Sequence, residues 1–275
     1  GEGDVRIEGD VVACGGDVPG EVDRAGTVLV ECALEVKVGR GVDVEQAAVV
    51  DPGDAAPVQA ALSQRSLKLT DILITHHHFD HTGGVETLKS TLGCRVSGPI
   101  NPKIDPIDNR LAEGDTLTVL DTDFSVIEVP GHTLDHIAFV GDGIVFCGDT
   151  LFAGGCGRVF EGTFPMMRSS LGKLRDLPAD TLVYCAHEYT LANLRFAAAA
   201  DPNNAQLKAR IAYCEGLRDQ DKPTVPSRIA DELETNPFLR WDAPGVISNL
   251  SAKEKLSGSD SDDVFAGLRQ WKDTF

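Results

Sequence analysis

Short apolar strands and amphipathic helical segments follow one another from residue 47 onward, and this order predicts an α/β fold. Residues 47–50 form an apolar run that ends at Asp51-Pro52-Gly53, and residues 55–66 follow with helical spacing. A second apolar run over 71–75 predicts a buried strand, and a helix is predicted over 84–92. Strands that alternate with helices in this way favour a sheet with parallel strands.

Further apolar segments in the middle of the chain predict more strands, and polar residues follow them. These predicted strands cover residues 117–120, 124–129, 144–147 and 181–185. His132, Asp149 and His187 come shortly after the last three of them. Because ligands of α/β proteins bind at the carboxyl ends of the strands, we expect these side chains to meet at one edge of a sheet.

The pattern changes after His187, where strand signals stop and helical spacing dominates. Helices are predicted over residues 190–199, 203–218, 227–234 and 261–272. We therefore predict an αβ domain over residues 1–189 and a helical domain over 190–275. Residues 1–45 are rich in Gly and Asp, and their short apolar pieces at 11–12 and 28–30 predict brief strands at most.

The loop that follows the strand at 71–75 has the sequence Thr-His-His-His-Phe-Asp-His and concentrates metal-binding groups. His76 and His78 lie two residues apart and can face one ion, while Asp80 and His81 can serve a second ion beside it. Ligands that are all nitrogen and oxygen suit Zn, Fe or Mn. His77 alternates away from its neighbours, so we expect it to be structural.

The remaining ligands would come from the other strand ends. His132 would complete the first set and His187 the second, and Asp149 is the natural bridge because a carboxylate has two oxygens. Two divalent ions about 3.5–4 Å apart can share a bridging hydroxide that attacks a carbonyl carbon. Asp80 would orient that hydroxide, so Asp80 and Asp149 are the candidate catalytic residues. His136 is expected to support the site rather than to bind metal.

The charge balance restricts the partners. The chain has 43 Asp and Glu against 25 Lys and Arg, a net charge of −18, which argues against nucleic acid or an anionic membrane as a partner. An anionic substrate would need a local basic pocket. The 7 Cys residues include no Cys-x-x-Cys pair, which favours buried thiols in a reducing compartment. We expect a cytoplasmic monomer, or an organellar one if a transit peptide preceded Gly1.

Four motifs occur in an order that resembles the metallo-β-lactamase superfamily. They are THHHFDH at 75–81, GHTLDH at 131–136, FCGDTLF at 146–152 and CAHEYT at 185–190. Residues 154–158, 161–163, 225–227 and 236–238 make the chain similar to the glyoxalase II, or hydroxyacylglutathione hydrolase, family. The resemblance covers about residues 47–275. It implies a four-layer αββα sandwich with a C-terminal all-α domain that helps to hold glutathione.

The resemblance also implies the reaction, which is hydrolysis of S-D-lactoylglutathione to D-lactate and glutathione, the second step of methylglyoxal removal. It implies two divalent ions, Zn before Fe or Mn. Seven residues match the family's metal ligands: His76, His78, Asp80, His81, His132, Asp149 and His187. Five residues match its glutathione-binding groups: Arg158, Phe160, Tyr189, Arg269 and Lys272. Replacing the last two is expected to raise KM more than it lowers kcat.

Two points depart from this picture or compete with it. Family members carry an Asp-Asn-Tyr turn near the amino terminus, and residues 1–45 contain none. A persulfide dioxygenase, a lactonase and a lactamase share the fold, although the long helical tail disfavours a dioxygenase. A non-catalytic protein that binds glutathione conjugates is the alternative from another class, and the full set of seven ligands argues against it.

Overall fold

The computed structural model describes residues 11–14, 31–36 and 46–275. In this part of the chain the strands are β1 (Val11–Cys14), β2 (Glu31–Val36), β3 (Gln46–Val50), β4 (Lys68–Leu73), β5 (Arg95–Pro99), β6 (Asn109–Leu111), β7 (Thr116–Val119), β8 (Thr122–Glu128), β9 (Ile137–Gly141), β10 (Ile144–Gly148), β11 (Leu151–Phe152), β12 (Gly155–Cys156), β13 (Leu182–Cys185) and β14 (Ser227–Arg228). The helices are α1 (Ala55–Arg65), α2 (Phe79–Thr82), α3 (Val85–Leu92), α4 (Phe164–Arg175), α5 (Thr190–Ala200), α6 (Ala205–Arg218), α7 (Ile229–Thr235), α8 (Pro244–Ala252) and α9 (Ser261–Asp273), with a 3-10 turn at Pro237–Leu239.

Two sheets form the centre of the molecule. The first has the strand order β1-β2-β3-β4-β5-β6, and the second has the order β14-β13-β10-β9-β8-β7. In the first sheet β3, β4, β5 and β6 are parallel. In the second, β9 is antiparallel to both β8 and β10, and β10 is parallel to β13. Strands β8, β10 and β13 therefore end at the same edge of the second sheet.

Successive residues on a strand point to opposite faces, and this alternation builds the layers. On β4, Leu73 lies between the two sheets and Ile72 packs toward α1 and α3. On β10, Phe146 lies between the sheets and Val145 packs on the opposite side. Strands β4 and β10 are thus apolar on both faces, and the result is the αββα arrangement that the motifs predict.

The outer layer on the second sheet combines α4 with helices from the end of the chain. Leu171 of α4, Phe196 of α5 and Phe265 of α9 share one apolar cluster with Val183 of β13. Strand β14 also pairs with β13, so the predicted helix over 227–234 begins only at Ile229. The C-terminal region therefore packs directly on the second sheet, and its standing as a separate domain over 190–275 stays a prediction.

Helices α4 and α8 do not follow from the strand and helix patterns described above. For α4 the local signal is nevertheless present, since the Thr163 side chain accepts a hydrogen bond from the backbone N–H of Met166 at 3.3 Å as an N-cap. Met167, Leu171 and Leu174 then follow at helical spacing and are buried. The sequence pattern does not predict α4 because its N-cap, Thr163, belongs to the Gly-rich motifs at residues 154–158 and 161–163, which suggest only a loop.

Several sequence expectations concern residues 1–45. Strand β1 covers residues 11–12, whereas the strand candidate at 28–30 and the place of the missing Asp-Asn-Tyr turn lie outside the described residues. Five cysteines lie in the part of the chain whose side chains are described, and all five are buried. Among the described helices, none combines the length and the apolar character needed to cross a membrane.

Candidate active site

The predicted metal-binding side chains lie at strand ends along one edge of the two sheets. Strand β4 ends at Leu73, three residues before His76, and β8 ends four residues before His132. Asp149 directly follows β10, and His187 comes two residues after β13. The structure brings these distant positions together, as expected from strands whose carboxyl ends share one edge.

The first group consists of three imidazoles. The Nδ1 atom of His78 lies 3.1 Å from Nε2 of His76 and 3.1 Å from Nε2 of His132. His76 and His132 are buried, and His78 is partly exposed. Their nearest nitrogens lie close enough together to face one ion.

The second group contains Asp80, His81 and His187. Oδ2 of Asp80 lies 3.8 Å from Nε2 of His81 and 3.6 Å from Nε2 of His187. Both rings are buried, while Asp80 is exposed on the short helix α2. This group can also hold one cation, and it is open to a ligand from the side of Asp80.

Asp149 lies between the two groups and faces each with a different oxygen. Its Oδ1 atom is 3.5 Å from Nε2 of His81 and 3.3 Å from Nε2 of His187. Its Oδ2 atom is 3.3 Å from Nε2 of His132. This is the orientation that a carboxylate shared by two cations requires.

The hydrogen bonds on the far sides of the rings show which nitrogens carry lone pairs. Nδ1 of His132 lies 2.7 Å from the carbonyl oxygen of Arg158, which can only accept, so Nδ1 carries the proton and Nε2 does not. The Thr75 hydroxyl donates to a carboxylate at 2.7 Å and therefore accepts from Nδ1 of His76 at 3.0 Å. Two lone pairs thus converge on His78, whose single Nδ1 proton could serve only one.

Buried polar atoms without a hydrogen-bond partner also indicate a metal site. Nε2 of His81 and Oδ1 of Asp149 are buried and have no hydrogen-bond partner among the residues that the structure describes. Buried polar atoms without partners are costly, and a divalent cation would satisfy both the imidazole and the carboxylate. The residues present therefore fit the divalent metal ions that the motifs imply.

The protonation states follow from burial and neighbouring charge. Burial lowers the pKa of His76, His78 and His132, which leaves these rings neutral and able to bind metal. Burial also lowers the pKa of His81, but the carboxylates of Asp149 and Asp51 outweigh it and hold that pKa well above its ordinary value. A proton and a metal ion thus compete for Nε2 of His81.

Asp149 shows the complementary effect. Burial raises the pKa of its carboxyl group, but His81 and His187 outweigh this and hold the pKa well below the usual range. The group is therefore ionised at neutral pH, as a bridging ligand must be.

Asp51 belongs to the site, although the sequence pattern suggests only a strand end. Its two oxygens accept hydrogen bonds from the backbone N–H of Thr75 at 2.7 Å and from Nδ1 of His81 at 3.0 Å. Asp51 is buried and has a φ of 52°, a conformation that Asp tolerates better than most residues. The Asp-Pro-Gly sequence directly after β3, next to the strand that carries the His loop, was the available signal.

The two histidines expected to be structural have other partners. Nδ1 of His136 lies 3.1 Å from the carbonyl oxygen of Ile137, and its Nε2 accepts the backbone N–H of Asp149 at 3.0 Å. Its ring stacks on that of His76, with centroids 4.6 Å apart. His77 instead faces Asp135, with Nδ1 2.9 Å from Oδ1. Neither ring directs a free nitrogen into the two groups.

Three of the predicted glutathione-binding residues lie beside the metal-binding groups. The Phe160 ring is 62% exposed, with its centroid 5.2 Å from the ring of His132. The Tyr189 ring stacks on His187 at 5.1 Å. Arg158 is exposed, and its Nε atom lies 3.8 Å from Oδ1 of Asp273. Their positions suit contact with a ligand, and that role stays a prediction.

The other two, on α9, differ from each other. Lys272 is half-buried, with Nζ 5.3 Å from the centroid of the Phe196 ring and 3.4 Å from the carbonyl oxygen of Ala192. Arg269 is only 3% exposed, and its Nη1 donates to the carbonyl oxygen of Cys156 at 3.0 Å. Its guanidinium group is therefore engaged inside the protein, and a direct contact between Arg269 and a ligand is not provided by this geometry.

Comparison with known proteins places the chain in a family. Residues 42–187 match the family model of the metallo-beta-lactamase superfamily, and residues 188–275 match the model described as hydroxyacylglutathione hydrolase C-terminus. The solved structure of BLEG-1 B3 metallo-beta-lactamase superposes with a TM-score of 0.56 at 23% identity, covering 76% of this chain and 94% of the other. That likeness supports the fold.

Two curated relatives are similar over most of their length. The hydroxyacylglutathione hydrolase of Ectopseudomonas mendocina is 53% identical over 231 residues, which is 83% of this chain and 90% of the relative. That of Alkalilimnicola ehrlichii is 54% identical over 232 residues, covering 82% and 90% respectively. The predicted fold, family and enzyme class are confirmed. The chain belongs to the hydroxyacylglutathione hydrolase family of the metallo-beta-lactamase superfamily.

Proposed function

We propose that this chain hydrolyses S-D-lactoylglutathione, and related 2-hydroxyacylglutathione thioesters, to a 2-hydroxy acid and glutathione with the help of two divalent ions. Membership of the family supports the reaction and the substrate class. Zn is the favoured metal, with Fe or Mn as alternatives, because all the candidate ligands are nitrogen and oxygen atoms. The monomeric state and the cytoplasmic location stay predictions from the sequence.

One observation carries the proposal of a binuclear site, namely that the two oxygens of Asp149 face different groups of side chains. His76, His78 and His132 would hold the first ion. Asp80, His81 and His187 would hold the second, and Asp149 would be shared between them. A single ion held by the first group would leave the buried Oδ1 atom of Asp149, which has no hydrogen-bond partner among the described residues, unsatisfied.

When bound, a pair of divalent ions lowers the pKa of water toward neutrality and polarises a carbonyl group. The protein supplies the remaining requirements. The ionised Asp149 offsets the charge of the site, and the fixed Nδ1 partners of His76, His81 and His132 hold the rings in one orientation. Asp80, half exposed at the mouth of the site, would accept a hydrogen bond from the attacking water and orient it.

Recognition of glutathione needs positive charge, because the tripeptide is anionic and the protein has a net charge of −18. Arg158 and Lys272 would provide this positive charge beside the site. Arg269 would contribute indirectly, because it holds the backbone of Cys156 near Arg158. Tyr189 and Phe160 flank the metal-binding groups and would line the path of the thioester. Phe160 offers no hydroxyl group, so its contact would be apolar.

The alternatives fit less well. The match of residues 188–275 to the C-terminus of hydroxyacylglutathione hydrolases favours a glutathione thioesterase over a lactonase, a lactamase or a persulfide dioxygenase. A non-catalytic binding protein would not need both groups of ligands to be complete, as they are here.

Asp149→Ala tests the proposal, with metal content and S-D-lactoylglutathione hydrolysis measured on both proteins. We expect the wild type to bind two ions and to turn over the thioester, and the variant to lose metal and at least a hundredfold in kcat, as expected when a shared ligand is removed. Asp71→Ala, which removes a buried carboxylate of β4 away from the site, is the matched control.

Three results would overturn the proposal. The first is a variant that keeps the metal content and the rate of the wild type. The second is a wild type that fails to cleave the thioester, and the third is oxygen uptake with glutathione persulfide in place of hydrolysis.

A further inference from the structure

Four side chains from the C-terminal region hold a hairpin beside the active site. The hairpin comprises residues 151–157, in which β11 and β12 pair around the turn at Ala153 and Gly154. Its backbone bonds Asn193, Glu232, Asn236 and Arg269 of the C-terminal region, and Cys147 of β10 adds a bond to the carbonyl oxygen of Leu151. Asn193 lies in α5, Glu232 in α7, Asn236 directly after α7 and Arg269 in α9. Four positions in the last third of the chain therefore contact one segment of seven residues.

The contacts cover the hairpin from one end to the other. Asn236 donates through Nδ2 to the carbonyl oxygen of Gly155 at 2.9 Å and approaches that of Phe152 at 3.3 Å. Asn193 donates to the carbonyl oxygen of Ala153 at 3.2 Å. Arg269 donates to that of Cys156 at 3.0 Å. Backbone groups that a short hairpin cannot pair internally are satisfied in this way.

The carboxylate of Glu232 binds the turn of the hairpin at Gly154. It is fully buried, and its Oε2 atom accepts from the backbone N–H of Gly154 at 2.9 Å and from Asn236 at 2.9 Å. Its other oxygen pairs with the guanidinium group of Arg210. A buried carboxylate is costly unless it is paired and hydrogen-bonded, and the bonds that offset this cost link Glu232 of α7 to the hairpin and to Arg210 of α6.

The end of the hairpin lies against the candidate metal ligands. A Cβ atom on Gly157 would lie 1.9 Å from the carbonyl oxygen of Asp149 and 3.3 Å from Nδ1 of His132, so the two backbones touch there. The carbonyl oxygen of the next residue, Arg158, accepts a hydrogen bond from Nδ1 of His132 at 2.7 Å. A displacement of the hairpin would therefore move the hydrogen-bond partner of His132 and the backbone of Asp149.

We propose that Asn193, Glu232, Asn236 and Arg269 are positioning residues that fix His132 and Asp149 in their metal-binding geometry through the 151–157 hairpin. This inference rests on the proposed metal site. It gives the C-terminal region a function in metal binding, in addition to holding glutathione. It also gives the buried Arg269 a role that its contacts with two backbone carbonyl groups support.

Asn236→Ala tests this positioning, with Asn249→Ala as the matched control. Asn249 likewise donates its side-chain amide to two carbonyl groups, those of Ala199 and Ala200 at 2.8 and 2.9 Å, and neither of these bonds reaches the hairpin. Both variants therefore lose amide-to-carbonyl hydrogen bonds in the C-terminal region, and Asn236→Ala also loses the bonds to Glu232 and to the backbone N–H of Phe238. Zn²⁺ affinity is measured by competition with a chelator, and the ligand geometry by the absorption spectrum of the Co²⁺-loaded protein.

We expect Asn236→Ala to weaken Zn²⁺ binding by roughly tenfold and to shift the Co²⁺ spectrum, since loss of outer contacts to metal ligands has effects of this size. Asn249→Ala should match the wild type in both measurements. Asn193→Ala, which removes a single contact with the hairpin, should shift both in the same direction by a smaller amount, and it keeps the test valid if Asn236→Ala does not fold.

Equal Zn²⁺ affinity and an equal Co²⁺ spectrum in Asn236→Ala, Asn193→Ala, Asn249→Ala and the wild type would overturn the positioning role while leaving the proposed function intact. If Asn236→Ala does not fold, the same result for Asn193→Ala overturns it. A wild type that binds neither ion would instead overturn the proposed function. A change in KM without any change in metal binding would also contradict the inference, because it would place these residues in the substrate site alone.

Discussion

The carboxylate of Asp51 lies 3.0 Å from Nδ1 of His81 and fixes which nitrogen of that imidazole is directed toward the metal site. A carboxylate can only accept, so Nδ1 carries a proton, and Nε2 is the nitrogen that faces Asp149 and is left for a metal ion. Asp51 is 30 residues from His81 in the chain. It also accepts the hydroxyl hydrogen of Thr75, which in turn accepts from His76. One side chain thus orients a ring in each of the two groups.

Asp51→Asn should weaken metal binding by roughly 10–100-fold, because the NH2 group of the amide would face at least one of the donors that the two carboxylate oxygens now serve and cannot accept from it. The metal content after dialysis against increasing chelator concentrations measures this. Asp71→Asn is the control, since Asp71 on β4 is equally buried but pairs with Arg95, whose Nε atom lies 2.7 Å from its Oδ1. Equal chelator resistance in the two variants would show that the orientation of His81 does not depend on Asp51.

Gly157 is expected to tolerate no side chain. Gly157→Ala would place Cβ 1.9 Å from the carbonyl oxygen of Asp149, and the displaced backbone should cost about 1–3 kcal/mol of stability and reduce kcat. Gly172→Ala in α4 is the matched control, because no atom lies within 4 Å of its Cβ, and it should gain about 0.5–1 kcal/mol. Urea unfolding and thioester hydrolysis measure both effects. A Gly157 variant as stable and active as the wild type would contradict the close contact.

Lys272 and Arg269 should respond differently although both lie on the last helix. Lys272→Ala should raise KM for S-D-lactoylglutathione by roughly tenfold with little change in kcat, as for the loss of one contact with a charged group. Arg269→Ala should lower metal affinity instead, because its guanidinium group holds the carbonyl of Cys156. Lys208→Ala, an exposed lysine on α6, is the control for net charge. Steady-state kinetics would disprove this division if both variants changed KM alone.

The buried ring of His136 predicts a pH dependence of stability. Burial lowers the pKa of His136 to about 3, whereas the unfolded chain has the ordinary value near 6.5. Between these values the unfolded state binds the additional proton, so this group lowers the free energy of unfolding as the pH falls from about 6.5, by up to about 1.4 kcal/mol per unit.

His136→Gln removes this contribution and keeps an acceptor for the backbone N–H of Asp149. In metal-free protein, the stability of the wild type should therefore fall more steeply than that of the variant between pH 7 and 5. Chemical denaturation at several pH values measures the two slopes. Parallel slopes would contradict a neutral, buried His136.

Local patterns carried much of the fold. The apolar runs near β3, β4, β10 and β13 and the helical spacing of α1, α3, α5, α6 and α9 were visible because each depends on neighbouring residues. Helix α4 was missed, since its N-cap Thr163 follows a Gly-rich segment that suggests only a loop. Strand β14 was missed because two residues carry no periodicity, and only its pairing with β13 makes it a strand.

The candidate site divides in the same way. The spacing of His76, His78, Asp80 and His81 within one short loop was sufficient to predict a pair of metal-binding groups, since ligand chemistry and loop geometry are local properties. The positions of His132, Asp149 and His187 after strands added the prediction that they meet.

Tertiary packing decided what no spacing could show. The link between Asp51 and His81, the opposite directions of the two Asp149 oxygens and the burial of Arg269 against the 151–157 hairpin depend on how two sheets and the C-terminal helices pack on one another. Local sequence sets which groups are available and where chain direction changes. Hydrogen-bond partners far away in the chain determine which nitrogen of each imidazole is left to bind a metal ion. Those hydrogen bonds form only after the sheets and helices have packed on one another.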